Sequence, residues 1–202
     1  MFAKGNNMFQ GSVKQEAESI SNLLAFVPVE LEKLRKRMQS EIEFVEPEEC
    51  EEWDEDQQKF VLRMWYPSVD TSIVDEMLDT FYSSIVGKIY NYAENGLRIL
   101  ADVVHKPKFP KGKKRPSDID LYFQEIERKQ GITLPPIEEL WPNKENFHSL
   151  RKQITHYGKG YLKTKEIEQL DKDLNDVLNM LLFIEEQIRQ ANPNFRPVLE
   201  IE

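Results

Sequence analysis

The chain has 202 residues, of which 40% are hydrophobic, and a formal net charge of -9 at pH 7. This length suffices for one well-buried core and the composition shows no break that demands two domains, so we expect a single domain over residues 1–202. The acidic balance excludes a protein coated with positive potential, so any nucleic-acid binding must come from local basic patches.

Cysteine usage and hydropathy indicate the compartment. Cys50 is the single cysteine of the sequence, so no disulfide forms within the chain, in keeping with a reducing compartment. No apolar run approaches the length of a membrane span, and the N-terminus lacks a signal-peptide pattern. We therefore expect a soluble, cytoplasmic protein that has no membrane partner.

The N-terminal quarter begins with few large apolar residues, which predicts a loose start over residues 1–12. From Ile20 to Met38, apolar residues recur at alternating spacings of three and four, as on a helix. Pro28 lies within this stripe and predicts a kink or the start of a second helix. Residues 41–56 then hold ten acidic and no basic side chains, which is typical of a solvated linker or surface.

The middle of the chain predicts one short helix and one long helix. An apolar patch from Phe60 to Trp65 forms the short one. The long helix begins near Asp70 or Thr71 and carries a buried face that includes Ile73 and Met77. It continues to Val104, with the Asn95–Gly96 pair as its weakest point.

Residues 106–116 carry six positive charges and no acid, and their prolines and glycine predict an extended basic loop. In such a loop Phe109 would stack on a base while nearby cations hold phosphates. Those cations are Lys111, Lys113, Lys114 and Arg115. A solvated loop that only keeps the protein soluble is an equally weighted alternative.

The last third predicts further helices. Ser117 caps a helix that ends at Gly131, and a proline-rich stretch then brings Leu134, Ile137, Leu140 and Trp141 to the core. Residues 143–190 form two helices, one with Asn143 as its N-cap and a final one capped by Thr164. The pattern therefore predicts an all-α bundle of about six to eight helices.

Arg151 and His156 lie together near the end of the first of these two helices, just before Gly158. Cleavage of RNA without a metal needs a group that accepts the proton of a ribose 2'-hydroxyl and a cation that holds the phosphate. Histidine suits the first task and arginine the second. Because five helical positions turn through about 500°, the two would not share a face, so we expect His156 at the helix end.

This segment resembles the signature of the HEPN superfamily, an arginine followed after four to six residues by a histidine. The resemblance implies a helical bundle and a metal-independent endoribonuclease of a toxin, abortive-infection or antiviral defence system, without a cofactor. Arg151 would then stabilise the scissile phosphate, with Lys152 beside it on the RNA, and His156 would act as base or acid. The product would be a 2',3'-cyclic phosphate, and an antitoxin or another regulatory partner would restrain the enzyme.

Homodimerisation is also expected, because the local sequence offers no second proton-transfer group and a two-fold axis near His156 would supply one. Two positions depart from the family pattern. Lys152 stands where Asn, Asp or His often follows the arginine, and Tyr157 follows the histidine directly.

Two other functions remain open. A catalytically silent helical module for RNA binding or dimerisation is one of them. The other is a magnesium-dependent all-α nucleoside triphosphate pyrophosphatase, in which Glu48 and Glu51 would face Glu76 and Asp79 across the metal.

Overall fold

The computed structural model of the protein describes residues 8–43, 71–103, 116–157 and 164–196. These ranges contain six helices and no strand, which confirms the predicted all-α class. The helices are α1 (Met8–Glu43), α2 (Ser72–Leu100), α3 (Asp118–Gln130), α4 (Ile137–Leu140), α5 (Lys144–Tyr157) and α6 (Thr164–Ala191). Among the described helices, none is long and apolar enough to cross a membrane.

The centre of the bundle is α2, which packs against α1, α3, α5 and α6. Its sequence explains this position, because Ile85, Ile89, Tyr92 and Leu100 are at most 1% exposed and recur at helical spacing. The Tyr92 hydroxyl donates a 3.0 Å hydrogen bond to the backbone carbonyl of Val13. This bond satisfies a buried polar group and fixes α2 against α1.

The predicted loose start is wrong from Met8 onward. Helix α1 begins there, and Phe9 is 1% exposed. Val13 and Ala17 continue the stripe that leads to Ile20, at spacings that keep them on one face. Pro28 lies inside α1 and does not begin a second helix, so the helix continues without the hydrogen bond that a backbone N–H would donate there.

The start of α2 at Ser72 agrees with the prediction, but its predicted C-terminal end and buried face need correction. The helix ends at Leu100, not at Val104, and Asp102 follows with a φ of 51°, which leaves the helical path. At the other end, Ile73 and Met77 are 50% and 44% exposed, whereas Val74 is fully buried. One position on a helix turns by about 100°, so burial of Val74 carries Ile73 away from the core.

The caps of α3 agree with the prediction. Ser117 and Asp120 form a capping box, each side chain bonding to the backbone N–H of the other. Gly131 ends the helix with a φ of 64°, a left-handed conformation that glycine adopts without strain. In the proline-rich stretch Leu134, Ile137 and Trp141 are buried and Leu140 is partly buried, as predicted.

Three predicted segments lie wholly or mostly outside the described residues. They are the acidic stretch beyond its first helical residues, the apolar patch from Phe60 to Trp65, and the basic loop up to Arg115.

Candidate functional site

The start of α5 is fixed to α6 by a buried carboxylate. Asp173 is 1% exposed and accepts hydrogen bonds from Trp141 Nε1 at 3.1 Å and from Asn143 Nδ2 at 2.9 Å. Burial raises the pKa of Asp173, although these bonds oppose the shift. Because two donors hold one carboxylate, the segment that leads into α5 has a defined position on α6.

The opposite side of the same turn is held by Lys144, which is only 5% exposed. Its Nζ lies 2.6 Å from Asp120, 3.2 Å from Glu138 and 3.0 Å from Glu145. Burial by itself lowers the pKa of Lys144, but the hydrogen bonds to these carboxylates raise it well above its usual range. The buried ammonium therefore links the start of α5 to α3 through Asp120 and to α4 through Glu138.

One turn further along α5, two side chains lie against the ring of Tyr90 on α2; we call Tyr90, His148 and Arg151 the Tyr90 cluster. The Arg151 guanidinium carbon lies 3.9 Å from the ring centroid, which is a cation–π contact. The His148 ring is stacked at 5.7 Å between centroids, with an angle of 26° between the planes. Since Tyr90 is 2% exposed, the two side chains cover a buried ring.

Charge and burial in the Tyr90 cluster keep both aromatic groups neutral near pH 7. Burial raises the pKa of the Tyr90 hydroxyl to about 12, against the opposing charge of Arg151. Burial also lowers the pKa of His148, and the positive charges of Lys152 and Arg151 lower it further. The His148 Nδ1 atom is buried and makes no hydrogen bond in the described structure.

The predicted site residues on α5 lie on different faces of the helix. Arg151 is partly buried against Tyr90, and Lys152 is exposed. Position 156 falls in the last turn, as predicted, and its side chain lies outside the described residues. Five residues turn through about 500°, so positions 151 and 156 are about 140° apart around α5.

Sequence reasoning missed Tyr90 and His148. For His148 a signal was present, because it precedes Arg151 by three residues and so shares its side of a helix. For Tyr90 no local signal exists, because it reaches the cluster from a different helix. In the sequence, Tyr90 is equally consistent with an ordinary core residue.

Most of the remaining predicted binding residues lie outside the part of the chain that the structure describes. Phe109, Lys111, Lys113, Lys114 and Arg115 lie outside the described residues, as do Glu48 and Glu51. On α2, Glu76 is exposed and Asp79 is partly buried. The described ranges contain no group of three histidine, cysteine, aspartate or glutamate side chains that would hold a metal ion.

Comparisons of this chain with models of protein families, with curated proteins and with solved structures found no match.

Proposed function

We propose that this chain is a metal-independent endoribonuclease of the HEPN type, with Arg151 and His156 as its catalytic residues. The observation that supports the proposal best is the Arg151 guanidinium held at 3.9 Å over Tyr90. A phosphate clamp is most effective when its charge is fixed before the reaction, because no reorganisation is then needed as negative charge develops. The fixed positions of Lys144 and Asp173 give α5 the rigid base that such a clamp requires.

The proposed reaction uses only groups of the protein and the RNA. His156 takes the proton of a ribose 2'-hydroxyl, and the 2'-oxygen forms a bond to the adjacent phosphorus. The bond from phosphorus to the 5'-oxygen breaks, and the protonated His156 of the second chain gives one proton to that oxygen. The products are a 2',3'-cyclic phosphate and a 5'-hydroxyl, while Arg151 and Lys152 stabilise the added charge on the phosphate.

Two chains are proposed to build each site. Within one chain, Arg151 contacts Tyr90 on one side of α5. Position 156 is about 140° further around the helix, so the two side chains point in different directions. His148 does not replace the second proton-transfer group, because eight residues separate it from His156 by about 12 Å along the helix. A two-fold axis beside α5 would bring the arginine of one chain to the histidine of its partner.

The basic segment 106–116 is proposed as a second contact with the RNA backbone. Replacing Lys111, Lys113, Lys114 and Arg115 by glutamine should weaken RNA binding and reduce its salt dependence, by a slope of up to about 0.7 per lost contact. An unchanged salt slope would remove this segment from the proposal.

The proposal is tested with purified protein, mixed RNA and excess chelator. We expect cleavage in chelator, with 2',3'-cyclic phosphate ends, because no step uses a metal. Arg151→Ala and His156→Ala should each lower the rate by at least about a hundredfold. His105→Ala and Arg128→Ala are the matched controls. His105 directly precedes the basic segment 106–116 in the sequence, and Arg128 is an exposed arginine on α3.

The same contact is also compatible with a second candidate function, because a guanidinium packed on a buried ring can serve the fold alone. If the cation–π contact with Tyr90 is only structural, α5 belongs to a catalytically silent helical module that binds RNA. Such a module would retain RNA on a native gel and leave it intact under every condition. RNA that the wild-type protein retains on the gel and leaves intact would therefore contradict the ribonuclease and support the module.

A further inference from the structure

The guanidinium of Arg151 is held by its face and not by its edge. Its central carbon lies 3.9 Å from the centroid of the Tyr90 ring. Within the described ranges its N–H groups donate no hydrogen bond and form no ion pair, and none of its nitrogens is fully buried. By contrast, Arg35, Arg128 and Arg189 each pair with a carboxylate. Arg151 therefore presents a fixed set of donors that the described part of the chain does not use.

His148 offers a second unused donor beside Arg151. It precedes Arg151 by three residues on α5 and stacks on the same ring of Tyr90. Its Nδ1 atom is buried and makes no hydrogen bond, so a hydrogen there would be a buried donor without an acceptor, which proteins rarely leave. The neutral ring therefore carries its hydrogen on Nε2. In the described structure Nε2 is not fully buried and has no hydrogen-bond partner.

The charges around His148 favour an anion. Besides burial, four charged groups act on the pKa of its ring; they are Lys152, Glu145, Arg151 and Asp120. The two acids among them lie against the buried Nζ of Lys144, at 3.0 Å and 2.6 Å. The two cations have no carboxylate partner among the described residues. The uncompensated charge beside His148 is therefore positive, although the protein is acidic overall.

We propose that Arg151 and His148 together bind one phosphate group of the RNA, Arg151 through its free N–H edge and His148 through Nε2–H. The inference rests on the proposed ribonuclease function, and it adds His148 as a residue that binds the phosphate and transfers no proton.

The spacing of the two residues suits one tetrahedral anion. Residues three apart on a helix have Cβ atoms about 5–6 Å apart. Hydrogen bonds of roughly 2.9 Å to different oxygens of one phosphate can bridge such a span. The guanidinium supplies its donors in a planar fork, and the imidazole adds one donor from a second direction. Glu94 and Asp118 act on the hydroxyl of Tyr90, so this hydroxyl is left out of the site.

The first test follows the His148 ring by NMR and needs no change at position 148. In the full-length protein with His105→Ala and His156→Ala, His148 is the remaining histidine. This protein is labelled with 15N and titrated with sulfate at pH 7.5 and constant ionic strength. We expect a hydrogen on Nε2 throughout, and a saturable shift of the Nε2 signal with a dissociation constant of about 1–30 mM. A hydrogen on Nδ1, or a ring that sulfate does not affect, would overturn the proposal.

Variants of the otherwise unchanged protein separate binding from a structural role. Arg151→Gln should abolish sulfate binding, measured by backbone amide shifts. His148→Phe keeps a ring on Tyr90 without a donor and should weaken binding at least about fivefold. His148→Gln restores a donor and should bind within about threefold of the wild type. Arg128→Gln, on α3, is the matched control and should bind as the wild type does. Equal binding by His148→Phe and the wild type would remove His148 from the site.

The second test asks which anion the site takes. A DNA strand of about eight nucleotides lacks the 2'-hydroxyls and so is not cut, and it should displace sulfate from His148 with at least about tenfold higher affinity. Sulfate that the strand does not displace would assign the site to a free anion and overturn the RNA phosphate. Displacement without cleavage of RNA by the wild type would overturn the ribonuclease and leave the phosphate site in place. Cleavage of RNA with no response at His148 would overturn this proposal alone.

Discussion

His148 is the titratable residue of the Tyr90 cluster whose charge the fold controls near neutral pH. Above its ordinary pKa of 6.5, the side chain is neutral in the folded and the unfolded chain alike. Just below pH 6.5, His148 binds a proton in the unfolded chain but not in the folded chain, because burial, Lys152 and Arg151 lower its pKa in the folded state. The free energy of unfolding should therefore fall as the pH decreases from 6.5 through the folded pKa.

This pH dependence is measured by urea unfolding at pH 7.5 and at pH 5.5, for the wild type and for His148→Phe. The phenylalanine keeps a ring on Tyr90 but does not titrate, so the loss of stability at pH 5.5 should be smaller in the variant. Glu145 and Asp120 act on His148 in the opposite direction and are present in both proteins. Equal losses in the two proteins would show that His148 titrates normally in the folded state.

At the scale of residues, local sequence patterns were predictable, whereas contacts between different helices were not. Arg151 stood out because its distance to a histidine is a local pattern, and its helix was found at the expected place. Its contact with Tyr90 was not predictable, because a ring on α2 meets a cation on α5 only after the bundle is formed. The buried ion pair of Lys144 with Asp120 was missed for the same reason.

At the scale of helices, local signals fixed some boundaries and not others. The two ends of α3 follow from Ser117 and Gly131, since a capping side chain and a left-handed glycine act within one turn. The start of α1 and the exposed side of α2 depend on which neighbours cover them. Ile73 is as apolar as Val74, and only packing decides that Val74 is the buried one.

Gly96 illustrates a close approach between two helices. A Cβ atom on Gly96 would lie 2.5 Å from Leu181 Cδ1 of α6, so the glycine permits α2 and α6 to pack closely. We predict that Gly96→Ala lowers the free energy of unfolding by about 1–2 kcal/mol, because the cost of overpacking exceeds the gain in helix propensity. Thermal and urea unfolding measure the change.

Gly87→Ala is the matched control for this prediction. A Cβ atom there meets nothing within 4 Å, so alanine should raise stability by about 0.5–1 kcal/mol. In the background of Leu181→Ala, the Gly96→Ala change should also become neutral or stabilising, since the opposing side chain is then shorter. If Gly96→Ala stabilises the protein as much as Gly87→Ala does, the close approach of α2 and α6 at Gly96 does not affect stability.

For the whole molecule, periodicity and the absence of alternating strand patterns were enough to predict an all-α bundle. The order of packing, with α2 at the centre, was not predictable, because every long helix carries an apolar stripe.

The claim that α5 carries a catalytic site shared by two chains is tested most directly by mixing the wild type with His156→Ala. Equal amounts of the two proteins are unfolded together, refolded and assayed on RNA in chelator. A quarter of the dimers would then carry both histidines, and half would carry one. If each site needs the histidines of both chains, the mixture should show about a quarter of the activity of the same total amount of wild type. A mixture that forms dimers by light scattering and keeps half of that activity would contradict the shared site.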